Sequence, residues 1–152
     1  MLFRGLLLSF LCLSSLAVHA ALPLTPFERS VTYALPNSAE VSAYLHQLSK
    51  QSPQAAVLSL GRSAGGRPIE ALLMSNDAAF LKNGRPDAHR PTVMLIGSQH
   101  GNEPSGTEAV QILVRQVLDG DQQHLLDKMN FIAIVLANPD GRDLNYGKFV
   151  EQ

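Results

Sequence analysis

Thr92-Val93-Met94-Leu95-Ile96-Gly97-Ser98-Gln99-His100-Gly101-Asn102-Glu103-Pro104-Ser105-Gly106 is the stretch that decides the fold. Val93 to Ile96 is a continuous apolar run without polar alternation, which suits a strand buried on both faces. Ser98 to Pro104 reads as a loop, and Ser105 with Glu108 three residues on has the form of a capping box. The helix it predicts places Val110, Leu113, Val114, Val117 and Leu118 on one face and ends at Gly120. A second buried-type strand comes next, over Phe131 to Ala137. Asn138-Pro139-Asp140-Gly141 then has the residue order of a type I turn. Strand, helix and strand imply a right-handed parallel crossover. The expected class is therefore α/β, with a mixed, partly parallel sheet flanked by helices.

Upstream, two strand-like runs, Ala56 to Leu60 and Ile69 to Met74, flank the turn-rich Gly61-Arg62-Ser63-Ala64-Gly65-Gly66-Arg67-Pro68 and predict a hairpin. Before it, Asn37 and Glu40 form a capping box for a helix with Val41, Tyr44, Leu45 and Leu48 at helical spacing, ending before Pro53. Residues 21–36 read as an extended lead-in broken by Pro23, Pro26 and Pro36. Asn76 to Pro91 reads as a polar loop, and a short helical turn is expected around His124 to Lys128.

Residues 1–20 stand apart. Arg4 is the only charge before Glu28, Leu6 to Val18 is almost wholly apolar, and Val18-His19-Ala20 offers a cleavage site. That is the layout of a secretory signal peptide. The only cysteine, Cys12, lies inside it, so no disulfide is expected beyond residue 20. An exported chain without disulfides points to a bacterial periplasm or to secretion. No later segment is long and apolar enough to span a bilayer.

The 152 residues allow one domain, and a 45% hydrophobic content supplies a core. Twelve basic and thirteen acidic side chains are scattered singly, for a net charge of −1. Without a cationic stripe there is nothing to displace phosphate counterions, which excludes a nucleic-acid binder.

Chemistry is expected at the loop after the first buried strand, because ligands of open α/β sheets bind at the carboxyl ends of strands. His100 offers a ring nitrogen and Glu103 a carboxylate, both zinc ligands, and Gly101 lets the backbone turn tightly between them. A polar loop that merely leads into the helix accounts for the same spacing. His124 and Asp127 repeat that spacing and are read as a solvated face. His46 and His89 are read as surface residues, and Arg62 and Arg67 as solvated hairpin charges. Asp140 is read as a turn residue. Ser63 and Ser105 lack the Gly-x-Ser-x-Gly elbow of a nucleophile, and Ser105 is read as a helix cap.

Three segments, in order, resemble the zinc metallocarboxypeptidases of the carboxypeptidase A type. Gly61-Arg62-Ser63 with Gly66-Arg67-Pro68-Ile69 is similar to that family's hairpin, His100-Gly101-Asn102-Glu103 to its first zinc-ligand motif, and Asn138-Pro139-Asp140-Gly141 to the end of a central strand. The resemblance implies a peptidase that removes a C-terminal residue, with one Zn2+ held by His100 and Glu103 and a peptide substrate, a cell-wall peptide being the natural candidate in a periplasm. It also implies a third zinc-binding His, a carboxylate-gripping Arg and a general-base Glu well downstream of residue 141. Arg142 and Lys148 stand too close to the turn to match the family's arginines. Asn102 stands where some animal members carry an Arg. Residues 37–152 therefore read as the N-terminal part of the catalytic domain, with no catalytic residue assigned and no activity expected of this part alone. Two other functions share features with this pattern. Zinc deacylases of the aspartoacylase and succinylglutamate desuccinylase type also use His-Gly-Asn-Glu, without the hairpin and turn motifs found here. A non-catalytic binding module could keep the fold without the metal.

Overall fold

The computed structural model describes residues 21–150, with side chains through residue 145, so the expected signal segment lies outside the described residues. Ala55–Arg62 (β1) and Pro68–Met74 (β2) form the predicted antiparallel hairpin, with an irregularity between Ser59 and Gly61. Thr92–Ile96 (β3) and Asn130–Ile134 (β4) pair in parallel, as two strands joined by a helical crossover should. β4 also pairs antiparallel with β2, which gives one mixed sheet in the order β1-β2-β4-β3.

Side-chain alternation along the sheet separates two faces. Leu72, Met74, Phe131 and Ala133 point to the main core, together with Val93 and Leu95. Ser38–Gln51 (α2) covers that face with Val41, Tyr44, Leu45 and Leu48, and Pro104–Asp119 (α4) adds Val114, Val117 and Leu118. The Asn37 capping box is present in full, with the Asn37 side chain on the Glu40 N–H and the Glu40 carboxylate on the Asn37 N–H.

The opposite face is covered unevenly. Leu73, Ile132 and Met94 lie in one row across β2, β4 and β3. Leu73 is buried, as is Phe80 of the short helix Ala78–Asn83. Met94 is 57% exposed and Ile96 46% exposed. The expectation that β3 is buried on both faces is thus corrected: among the described residues it is an edge strand, and only its Val93–Leu95 side meets the core.

Four local expectations also change. The lead-in contains a one-turn helix, Pro26–Arg29 (α1), opened by a Thr25–Glu28 capping box, because Pro26 at its start has the helical φ already set. Ala78–Asn83 (α3) interrupts the expected polar loop; Asp77 caps it on the Ala79 N–H and Gly84 closes it at φ 67°. Helix α4 begins at Pro104 with Glu103 as N-cap and no side-chain cap bond. Ser105 is therefore already inside the helix, and the proline in the first turn is what moves the start upstream. Asn138-Pro139-Asp140-Gly141 opens Pro139–Val150 (α5) instead of closing a turn. The Asn138 Oδ1 accepts the Gly141 N–H at 2.8 Å, and the chain continues helically with the Arg142 N–H on the Asn138 carbonyl. A type I turn and the first turn of an Asn-capped helix use the same residues, so only the backbone beyond Gly141 tells them apart. The short turn near His124 is a 3-10 helix, Gln123–Asp127.

Glu108 is spent elsewhere than in a cap. Its carboxylate accepts from Arg142 Nη2 at 2.5 Å and from Gln111 Nε2 at 3.0 Å, and Arg142 Nε donates to the Pro36 carbonyl at 2.8 Å. Arg142 is wholly buried. Burial pushes the Glu108 carboxyl above its ordinary pKa, against the pull of Arg142. Removing one partner strands the other in a dry site. Arg142→Ala is expected to destabilise the chain by about 3–5 kcal/mol, read as a lower urea midpoint, whereas Glu108→Gln with Arg142→Met together should recover much of the loss. Equal losses in the single and double variants would contradict this.

Candidate metal centre

The loop between β3 and α4 is built without slack. Gly97 leaves the strand where a Cβ would collide with the Val135 carbonyl, so no larger residue fits. Its N–H donates to the Ile134 carbonyl at 2.8 Å, and its own carbonyl accepts the Ala137 N–H at 3.0 Å. Ser98 comes next at φ 39°, a left-handed conformation that a non-glycine residue holds only when its surroundings fix it. The fixing bonds are present: the Ser98 hydroxyl donates to the Glu103 carbonyl at 2.6 Å, and the buried Thr107 Oγ1 lies 2.7 Å from Ser98 Oγ and 3.1 Å from the Val135 carbonyl. The Ser98 carbonyl accepts the Asn138 N–H at 3.1 Å, and the Gln99 carbonyl accepts the Asn138 amide at 3.2 Å. The His100 carbonyl accepts the Glu103 N–H at 3.2 Å. Gly101 lies so close to Gly141 that a Cβ on it would overlap the Gly141 backbone.

This loop brings His100 and Glu103 together at the carboxyl end of β3. Nδ1 of His100 and Oε2 of Glu103 lie 3.3 Å apart, and both side chains face solvent. Two ligands each about 2.0–2.1 Å from one tetrahedral zinc ion stand about 3.3–3.4 Å from each other. The donor pair therefore fits two corners of a zinc coordination sphere. Among the described residues no group of three His, Cys, Asp or Glu could hold a metal ion. Of the other described histidines, His46 Nε2 pairs with Glu70 at 2.8 Å, His124 Nδ1 lies 3.0 Å from the Asp121 carbonyl, and His89 is exposed. Asp127 is exposed and accepts from Asn76 at 2.9 Å.

The hairpin between β1 and β2 reaches the same region. Asp140, in the first turn of α5, accepts from the Gly65 N–H at 2.9 Å, the Ser63 hydroxyl at 2.8 Å and Arg67 Nη1 at 2.8 Å. Asp143, one helical turn on, accepts from Arg67 Nε at 2.5 Å and from the Ser38 N–H and hydroxyl at the start of α2. Arg67 is thus an ion-pair partner of two carboxylates and not a solvated charge, and Asp140 is a tether and not a turn residue. The Gly65 N–H, the Ser63 hydroxyl and Arg67 hold the Asp140 carboxyl below its usual pKa range. Burial works to raise Asp143, but Ser38 and Arg67 together outweigh it, and its pKa is also lowered. Asp140 and then Asp143 raise the Arg67 pKa further. All three segments that carried the sequence resemblance therefore meet around the N-terminal turn of α5.

The family model for zinc carboxypeptidases matches residues 41–148. The chain belongs to the zinc carboxypeptidase family. A carboxypeptidase E of Caenorhabditis elegans is 31% identical over 121 residues, covering 73% of this chain and 24% of the relative. A carboxypeptidase B of Helicoverpa zea is 30% identical over 106 residues, covering 66% and 23%. Among solved structures, carboxypeptidase A of Helicoverpa armigera superposes with a TM-score of 0.66 at 30% identity, over 74% of this chain and 27% of that one. A metallo-carboxypeptidase of Burkholderia cenocepacia gives 0.56 at 29% identity, over 68% and 27%. The mixed sheet flanked by helices is the fold of these neighbours, and the chain spans about a quarter of the length of each relative named.

Sequence reasoning located the two ligand candidates but missed Asn138, Asp140, Asp143 and Arg142 as the groups that hold the site. The nearest signal was the co-occurrence of the hairpin and Asn-Pro-Asp-Gly motifs, which a single sequence cannot join across more than seventy positions. Because the Asp140 and Asp143 pKa values are lowered on folding, their contribution to stability is present above the ordinary aspartate value of about 3.9 and is lost as pH falls through the lowered values. Asp140→Asn is expected to unfold at lower urea than the unsubstituted chain at pH 6, with the gap narrowing below about pH 4. A gap of constant size from pH 7 to pH 2.5 would refute the tether.

Proposed function

We propose that this chain carries the first two zinc ligands, His100 and Glu103, of a metallocarboxypeptidase centre that hydrolyses C-terminal peptide bonds. The observation that carries the reading is the 3.3 Å approach of the imidazole to the carboxylate on a loop fixed at the carboxyl end of β3, within the family fold. Zinc, when bound, supplies Lewis acidity and a water of lowered pKa. The chain's part is to hold and orient: His100 contributes a neutral nitrogen, Glu103 a negative charge, and the Gly97–Glu103 backbone keeps both donors in place. The exposure of the pair leaves room for a peptide to approach.

Among the described residues, none is matched to the substrate-gripping arginine, the general base or the third ligand that the family resemblance implies. We therefore expect the 152-residue chain to bind zinc weakly and to hydrolyse nothing at a useful rate. Export to a periplasm or out of the cell fits the leader-like residues 1–20, and no described helix is long and apolar enough to cross a membrane. Peptides, cell-wall peptides among them, are the expected substrate class. The peptidase reading is preferred to an N-acyl amino acid deacylase because the hairpin and Asn-Pro-Asp-Gly segments take part in building the loop's surroundings. Zinc titration against a chelating dye tests the centre: His100→Ala should weaken uptake about tenfold or more, and Glu103→Ala likewise. Zinc uptake unaffected by both substitutions would place the metal elsewhere or nowhere. Measurable turnover by the chain on a panel of peptides would overturn the expected inactivity, and turnover on N-acyl amino acids would favour the deacylase.

A further inference from the structure

The parallel ladder between β3 and β4 does not end with the strands. Beyond Ile96 and Ile134 it continues through the Gly97 N–H on Ile134, the Ala137 N–H on Gly97 and the Asn138 N–H on Ser98. The next carbonyl, Gln99, has no backbone donor in this series and takes a side-chain donor instead, Asn138 Nδ2 at 3.2 Å. The very next residue is His100. The amide orientation is set by its partners, since Oδ1 faces the Gly141 N–H at 2.8 Å and the other end faces a carbonyl oxygen. One side chain thus does two separable jobs: its oxygen caps α5 and its nitrogen forms the last rung before the metal pair.

We propose that Asn138 is a positioning residue for the metal centre, fixing the peptide of Gln99 so that His100 Nδ1 faces Glu103 Oε2. The inference rests on the zinc reading given above. The two jobs can be separated because Ser and Asp are N-cap residues of the same class as Asn, yet a carboxylate has no donor for the Gln99 carbonyl and Ser carries its single O–H one bond nearer the backbone than the Asn amide nitrogen. Ser removes the amide N–H of the rung without adding charge, and its shorter side chain draws the remaining donor away from the carbonyl. Asp caps α5 but turns an acceptor toward an acceptor.

The test compares the unsubstituted chain with Asn138→Ser and Asn138→Asp, using Zn2+ competition against a chelating dye, the visible absorption of bound Co2+, and the thermal midpoint of the metal-free chain. Asn138→Ser is expected to weaken zinc about tenfold, the lower end for groups that orient a metal ligand, to alter the Co2+ spectrum, and to leave the metal-free midpoint close to its original value. Asn138→Asp should also weaken zinc despite its added negative charge. A purely structural residue would lower the midpoint and leave the spectrum of any bound Co2+ unchanged, and that result overturns the proposal. So does zinc affinity within twofold of the original in Asn138→Ser, or loss of its melting transition. If the unsubstituted chain takes up no zinc, the reading of the centre fails first and this inference with it; normal uptake there with no effect of either substitution removes this inference alone.

Discussion

Backbone carbonyls that leave a sheet lose their ladder donors, and at the head of the β3–α4 loop, buried at Gly97 and Ser98 and exposed at Gln99, their replacement organises the region around the candidate centre. Gly97, Ser98 and Gln99 leave a strand and run into a tight turn, where no neighbouring strand can serve them. Residues 137 and 138 do so, with two backbone N–H groups and one side-chain amide. The turn that holds His100 and Glu103 is thereby made an extension of the sheet and not a free loop. The φ of Ser98 is held by its bonds to the Glu103 carbonyl and Thr107, and a Cβ at Gly97 is excluded by the Val135 carbonyl.

Helix α5 is the element on which the other supports converge. Its first turn receives the loop through Asn138 and the β1–β2 hairpin through Asp140, and its next residues bind the start of α2 through Asp143 and the interior of α4 through Arg142. Arg67 and Arg142 use opposite physics for the same end. Arg67 is partly exposed and bridges two carboxylates, so salt and acid weaken it. Arg142 is sealed from water, where its pair with Glu108 adds little net stability but tolerates no loss of either member.

Much of the fold could be read from local pattern. The α2 boundaries were set by Asn37, Glu40 and the spacing of Val41, Tyr44, Leu45 and Leu48, all within one or two helical turns. The β3–α4–β4 unit was legible as two apolar runs around an amphipathic helix. The errors came where a short pattern has two meanings. Ser105 and Glu108 look like a cap until Arg142, thirty-four positions away, claims the glutamate. Asn-Pro-Asp-Gly looks like a turn until the chain after it stays helical. β3 looked doubly buried because an apolar run does not say how much of each face its neighbours cover. At the site, the convergence of His100 and Glu103 was legible because three residues and a glycine span it. The clamp was not, because its members lie about forty to eighty positions apart and meet only through the sheet and α5.

The contact of Gly101 with Gly141 has a consequence for how such a sequence can change. A Cβ at 101 would overlap the Gly141 backbone, whereas a Cβ at 141 would lie 2.9 Å from both terminal atoms of the Asn138 amide. A mutational walk through this region is therefore not free to take its steps singly. A side chain gained at Gly101 has to be preceded by a shift of α5 away from the sheet, which would loosen the grip on the hairpin, on α2 and on α4 at once, and one gained at Gly141 by a move of the Asn138 amide off its partners.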